Sequence, residues 1–182
     1  GISDLLAAGE PEKAYDEAGE SATMEYVNSV VDNNSSSGHI TGGGWINSAS
    51  GDYKQSKRND KGNFGFEVQS DKRRGVRGNF NFYLHNANFR VRSNNIEWLT
   101  INYDHALFAG SAEVNGRSGY KFLVSAVDVN MNKRCRDNDL LRIMVWDSRD
   151  NLVYDNQQGS GNMDRPARPI GHGEIVIHEQ RE

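Results

Sequence analysis

The chain has 182 residues, enough for one domain with its own core, and a formal net charge of −4. That acidic balance argues against a broad nucleic-acid-binding surface, and no apolar run approaches the ~20 residues needed to cross a bilayer. The single cysteine, Cys135, excludes an intrachain disulfide. Its basic neighbours in "KRCRD" favour the thiolate, but no particular histidine pairs with it. A loop thiol is therefore the simpler interpretation than a nucleophile.

Residues 1–37 form an acidic arm and linker that differ from the rest of the chain. Eight acidic residues are opposed only by Lys13, a net charge of −7, which leaves +3 for residues 38–182. The stretch "PEKAYDEAG" has a proline suited to a first helical turn and a glycine suited to a C-terminal cap, so we expect a partly helical arm. The linker "DNNSSSG" follows it. A segment with so few apolar residues does not fold alone. Three interpretations stand beside each other: a disordered tail, the end of an upstream domain, and an arm that docks on a neighbouring copy.

From residue 38 onward the hydrophobic period changes to two, which is typical of strands. In "GNFNFYLH", Phe80, Phe82 and Leu84 alternate with polar residues, and "NFRVRS", "SGYKFLVSAVDV" and "HGEIVIHE" behave similarly. Turn-forming stretches separate these runs, and the Asn-Gly pair in "VNGRSGY" is the clearest hairpin. We predict an all-β domain over residues 38–182, an antiparallel sandwich or barrel of about nine or ten short strands.

The triple glycine of "GHITGGGWI" opens the first of these strands. Phosphate-binding glycine loops need a helix after the glycines and GxGxxG or GxxxxGK spacing, and the sequence has neither. We expect the three glycines, Gly42 to Gly44, to let the strand bend or pass close under a large side chain such as Trp45.

Five segments in this order resemble a known kind of domain: "ITGGGWI" (40–46), "GNFGFEV" (62–68), "YDHALFAGSAEVNGRSGYKFLVSAVD" (103–128), "DLLRIMVWDSRDNLVYDN" (139–156) and "GEIVIH" (173–178). The set is similar to a small β-rich domain with a TGGGWI-type signature that is appended to bacterial secreted and cell-surface proteins. The resemblance covers about residues 39–178. It implies an extracytoplasmic β-domain, usually an accessory module without a known activity. The insertions "NKRCR" and "SGNMDRPARPI" depart from the pattern.

The strongest metal candidate is the connection "DVNMNKRCRDND". Asp128, Asn130 and Asn132 match the first three ligand positions of a calcium loop, and Asp139 falls at the twelfth. A lysine replaces the required glycine, and three nearby basic side chains oppose a cation. Calcium binding therefore stands beside a second interpretation, a polar loop whose side chains cap turns. No other cofactor is predicted.

No arrangement of residues in the sequence indicates catalysis, so we predict that the protein is not an enzyme. His172 and His178 share a strand face but lie about 20 Å apart, too far for one zinc ion. Asp104 and His105 suit a turn at a strand end better than acid–base chemistry.

Three large side chains are candidates for packing or recognition: Trp45, Arg142 and Trp146. Arg142 and Trp146 share one face of a strand, because side chains at positions i, i+2 and i+4 of a strand point to the same side. The basic runs "DKRRGVRG" and "FRVRS" predict a positive patch that suits the acidic arm of another copy.

Taken together, these features predict a secreted or cell-surface module with a structural or adhesive role. The sharper version is a subunit of a surface or extracellular assembly in which residues 1–37 dock on a neighbouring copy. Its partners would be further copies or another surface protein, without nucleic-acid binding or membrane insertion. The alternative is a carbohydrate- or calcium-binding accessory domain of a secreted enzyme, with a glycan as its partner.

Overall fold

The computed structural model describes residues 37–131 and 137–179. The predicted helical arm, as well as Asn132 and Cys135, lies outside these residues. Within them the chain forms nine antiparallel strands and no helix, in one sheet that curls into a half-barrel. The prediction of an all-β antiparallel domain of about nine or ten strands is confirmed. The strands are β1 (Gly38–Ser48), β2 (Asp60–Asp71), β3 (Gly75–Leu84), β4 (Phe89–Asn102), β5 (His105–Val114), β6 (Arg117–Val127), β7 (Leu140–Trp146), β8 (Leu152–Asp155) and β9 (His172–Glu179).

The sheet is a simple meander with one addition. Strands β2 to β8 each pair with the strand before them, and β9 returns to pair with β1, so the sheet order is β8-β7-β6-β5-β4-β3-β2-β1-β9. The tight turn between β5 and β6 uses Asn115 (φ 51°) and Gly116 (φ 81°). Positive φ at both positions is what a hairpin of this twist requires, and the Asn-Gly pair in the sequence predicted it.

The alternating apolar residues point into the half-barrel and form the main core. Phe66 of β2 contacts Phe108 of β5 with ring centroids 5.2 Å apart, and Phe80 of β3 lies 4.9 Å from Phe122 of β6. Each pair comes from strands three places apart in the sheet, so the rings meet only because the sheet curls around them. Burial of these side chains, at about 25 cal/mol per Å² of apolar surface, is the main driving force for the curl.

Strands β5 to β7 are buried on both faces. A second apolar cluster lies on their outer side, where Met163, from the connection between β8 and β9, joins the side chains of the sheet. A strand covered on both sides loses the alternation of polar and apolar residues, which explains the nearly continuous apolar run "DLLRIMVWD". The strand residues of this cluster are Trp98, Leu107, Ala109, Leu123, Met144 and Trp146.

The three glycines of β1 have three different surroundings. A Cβ atom on Gly42 would overlap the ring of Phe66, so the large side chain over the glycines is Phe66 and not Trp45. A Cβ on Gly43 would meet nothing within 4 Å. Gly44 (φ 153°) pairs with Gly173 of β9, and a Cβ on it would overlap the backbone carbonyl of His172. The expected close backbone approach is therefore made at Gly44.

We predict that Gly44→Ala destabilises the fold whereas Gly43→Ala does not. Backbone atoms of β9 cannot move aside for a methyl group, so Gly44→Ala should cost about 1–3 kcal/mol of unfolding free energy. Gly43→Ala should raise the unfolding free energy by less than ~1 kcal/mol, because glycine weakens a strand relative to alanine. Urea denaturation of both variants measures the difference. Equal midpoints for the two would contradict the close approach of β1 and β9.

Candidate functional site

The structure brings together three of the four residues predicted to form a calcium loop. Asn130 Nδ2 lies 3.5 Å from Asp139 Oδ1, and the Asn130 backbone amide donates to Asp128 Oδ1 at 3.2 Å. Asn132 lies outside the described residues. Both aspartates are buried, with 7 % of the surface of Asp128 and 2 % of that of Asp139 exposed. The spacing in the sequence therefore identified a real cluster.

Every oxygen of the two carboxylates accepts a hydrogen bond from the backbone. Asp139 Oδ1 accepts from Val129 at 3.0 Å, and its Oδ2 accepts from Ile175 at 2.7 Å. Asp128 Oδ2 accepts from Ile177 at 3.2 Å. Ile175 and Ile177 belong to β9, so the connection between β6 and β7 holds β9 through its side chains. This arrangement fits the interpretation as a capping loop.

The electrostatics of Asp139 reflect its position in the core. Burial raises the pKa of the Asp139 carboxyl above its ordinary value, and the charges of Asp128 and Glu174 act in the same direction. The bonds from Ile175 and Val129 oppose this shift. A calcium ion would share these oxygens with backbone donors. No group of three or more His, Cys, Asp or Glu side chains suited to a metal occurs in residues 37–131 and 137–179, and calcium binding stays a prediction.

Arg142 and Trp146 lie on the same outer face of β7, and both are buried, with 1 % of each residue exposed. The Arg142 guanidinium donates to both carboxylate oxygens of Asp155, at 3.1 and 2.9 Å. It also donates to the carbonyl oxygens of Gly161 at 2.5 Å and Ser160 at 3.1 Å. Arg142 thus fastens the segment after β8 onto the sheet. Removing one partner of a buried, bidentate ion pair strongly destabilises a fold, because the other charge is left buried and unpaired. Arg142 therefore has a packing role.

Trp45 lies on the outer face of β1 and is partly exposed. Lys61 Nζ lies 4.0 Å from the centre of the Trp45 ring. The backbone of Gly171 packs against the six-membered part of the indole. The Gly171 amide donates to the Trp45 carbonyl oxygen at 2.8 Å. Trp45 therefore supports the start of β9, which agrees with its interpretation as a packing anchor.

His105 is the most strongly perturbed histidine of the described residues. Its Nε2 lies 2.7 Å from Ser125 Oγ, and only 5 % of the residue is exposed. Burial lowers the pKa of His105 to about 4, the positive charge of Arg165 adds to the effect, and Asp104 opposes it. Arg165 itself bonds Asp104 at 2.8 Å. His105 is thus a neutral member of the packed outer layer.

A groove on the outer face of β2 to β5 has a volume of about 850 Å³. Polar and apolar surfaces line it about equally. The polar side chains include Asn63, Asn81, Arg92 and Glu113, and Gly65 lies in its floor. The sequence does not predict this groove. The only signal of it was the polar face of "GNFNFYLH", which solvent explains equally well.

No family model, curated protein or solved structure matches this chain. No helix among the described residues is long and apolar enough to cross a membrane.

We predict that Asp139→Ala lowers the unfolding free energy by about 2–4 kcal/mol, because it leaves the buried amides of Val129 and Ile175 without an acceptor. Glu97→Ala, on an exposed site of β4, is the control and should stay within ~0.5 kcal/mol. Thermal unfolding measures both. Repeating it with millimolar calcium tests the metal prediction, since a midpoint raised in the wild type and not in Asp139→Ala would favour calcium binding.

We predict that His105 makes the fold sensitive to acid. Its pKa in the folded state, about 4, lies below the ordinary histidine value of 6.5. The stability that this difference contributes is therefore present above pH 6.5 and is lost as the pH falls towards 4. Between pH 7 and pH 4.5 the wild type should lose about 2 kcal/mol more than His105→Gln does. His85→Gln, at an exposed turn, should follow the wild type. Parallel pH curves for wild type and His105→Gln would contradict this assignment.

Proposed function

We propose that the protein is a non-catalytic structural or adhesive module of an extracellular assembly, in which the acidic segment before the sheet docks on a neighbouring copy. The extracellular setting is part of the proposal and rests on the resemblance of the five ordered motifs. What supports the assembly is that β1, which the acidic segment precedes in the chain, begins beside a basic hairpin.

The start of β1 and a basic hairpin lie at the same end of the half-barrel. Gly38, the first residue of β1, pairs with Ser70 of β2, and the turn that follows β2 contains Lys72, Arg73 and Arg74. The acidic segment therefore joins the sheet beside this hairpin. This shared end is the observation that carries the proposal, because two copies that meet there can exchange their acidic segments.

The hairpin is held in place while two of its charges stay available. Asp71 Oδ1 accepts from the backbone amides of Arg73 at 2.9 Å and Arg74 at 2.6 Å. Its Oδ2 pairs with Arg77 at 2.8 Å, and the hydrogen bond from Arg77 is the main cause that lowers the pKa of the Asp71 carboxyl. In the described part of the chain, the guanidinium groups of Arg73 and Arg74 have no bonding partner.

The charges involved are large enough to steer assembly and weak enough to make it depend on salt. The acidic segment carries −7, and each contact between unit charges in water is worth about 1 kcal/mol at 4 Å. Screening at physiological salt acts beyond about 8 Å. Several contacts together give the attraction that an assembly needs, whereas one surface ion pair does not.

The core also supports a non-catalytic role. Buried ionisable groups of the described residues are bound to structural partners, among them Arg142 to Asp155, His105 to Ser125, Asp139 to β9 and Asp52 to the Ala49 amide. A catalytic acid or base needs access to a substrate.

The basic residues of "FRVRS" lie near the other end of β3 from the hairpin, since Arg90 pairs with Tyr83, and they belong to the groove instead.

A charge exchange in the full chain tests the proposal. The double variant Arg73→Glu with Arg74→Glu should weaken self-association by about tenfold or more, because attraction becomes repulsion. Combining it with Glu10→Lys and Glu12→Lys should restore association. The matched control is Arg117→Glu with Arg149→Glu, at exposed positions of the opposite end, which should have little effect. Molar mass by light scattering, over a range of concentration and salt, is the measurement.

Two results would overturn the assembly proposal. One is a wild-type protein that stays monomeric at every concentration. The other is equal weakening by the hairpin variant and by the control.

A further inference from the structure

We infer that the groove on the outer face of β2 to β5 is a binding site for a neutral, polyhydroxylated ligand, that is, a sugar chain. The inference does not depend on the proposed assembly. The basic hairpin lies where β2 ends and β3 begins, whereas the groove extends along β3 to Tyr83 and to the β5–β6 turn at Asn115, towards the opposite end of the half-barrel.

The groove forms where two neighbouring strands separate. The ladder between β3 and β4 runs from Leu84 paired with Phe89 to Asn81 paired with Arg92, and it stops there. The next amide of β3, that of Phe80, donates to the side chain of Ser93 at 2.9 Å. Beyond this point β4 has irregular pairing with β5. The resulting volume of about 850 Å³ lies in the range of ~300–1,000 Å³ that is typical of ligand sites.

The polar side chains of the groove are available for a ligand. Five of them bond to no other residue within 37–131 and 137–179, and four of these five are exposed. The set consists of Asn63, Asn79, Asn81, Arg92 and Glu113. Because these side chains have no partner within the described fold, they can bond to a ligand in the groove in place of water.

The chemistry of the set matches hydroxyl groups. An Asn amide offers donors and an acceptor, Arg92 offers donors only, and Glu113 offers acceptors only, whereas each sugar hydroxyl both donates and accepts. Arg92 and Glu113 are register partners on β4 and β5, so these two charges offset each other. The remaining charged residue of the lining, Arg90, has its guanidinium over the Tyr83 ring. An anionic ligand would meet the carboxylate of Glu113, and a cationic one would meet the guanidinium of Arg92. A neutral ligand satisfies both.

One end of the groove has a supported aromatic ring. The Arg90 guanidinium lies 4.4 Å from the ring centre of Tyr83, and the His85 ring lies 4.8 Å from it. These contacts fix the orientation of the ring and of its hydroxyl. A rigid aromatic residue with a polar tip gives contact area to a sugar at low entropic cost.

Gly65, in the floor of the groove, has no packing reason to be glycine. A Cβ at this position would meet no atom within 4 Å, and glycine weakens a strand by roughly 0.5–1 kcal/mol relative to alanine. A glycine in a strand interior often marks a place where a ligand approaches the backbone closely. Gly43, its partner on β1, is equally open and extends the bare surface by one strand.

The test fills the groove without disturbing the fold. Gly65→Tyr places a ring in open space, and Gln69→Tyr, on the same face of β2 but outside the groove, is the matched control. The probes are immobilised neutral oligosaccharides from β-glucan, mannan, xylan and chitin, with polygalacturonate and heparin as acidic comparators. Titration calorimetry with the tightest neutral probe then measures affinity for the full chain.

We expect the wild type and Gln69→Tyr to bind at least one neutral probe equally well. Gly65→Tyr should bind it at least tenfold more weakly with an unchanged unfolding midpoint, and Asn81→Ala should bind it about threefold to tenfold more weakly. Absence of binding to every neutral probe, tighter binding of the acidic probes, or undiminished binding by Gly65→Tyr would each overturn the inference. So would a change of molar mass in Gly65→Tyr, because the groove would then receive protein. Charge reversal at Arg73 and Arg74 should leave neutral-probe binding unchanged, which separates this inference from the assembly proposal.

Discussion

The half-barrel depends on two carboxylates that hold a strand where no other strand can pair with it. β9 has β1 on one side only, and on the other side its Ile175 and Ile177 amides donate to Asp139 and Asp128. A buried amide without a hydrogen-bond acceptor lowers the unfolding free energy by about 1–3 kcal/mol. The two side chains thus take the place of a neighbouring strand, and they tie the start of β7 to the last strand of the sheet.

The sequence predicts this fold where one face of a strand is polar. The alternation around Phe80 and Phe82, and the Asn-Gly turn before β6, led directly to correct strands and a correct hairpin. The alternation is weaker in β5, in the second half of β6 and in β7, because a layer fastened by Arg142 covers their outer side. That layer follows from contacts between residues far apart in the chain, which periodicity does not register.

Site prediction divides in the same way. The spacing of Asp128, Asn130 and Asp139 identified a cluster, because local polar residues in one connection stay close together. Their acceptance of bonds from β9 depends on a strand 36 residues beyond Asp139, which no local pattern indicates. The groove is harder to predict from the sequence, because it forms where β3 and β4 separate. The open space above Gly65 is recognisable only when the positions of the neighbouring strands are known.

The pairing of β9 with β1 has a consequence for synthesis of the chain. Strands β2 to β8 each contact their immediate predecessor and can form as they leave the ribosome, but β1 keeps an unpaired edge until the chain has been made as far as Glu179. An open edge with apolar residues such as Ile40 invites pairing with other chains. The interval between translation of β1 and of β9 is therefore when the nascent protein is most exposed to aggregation, and chaperone protection matters most then.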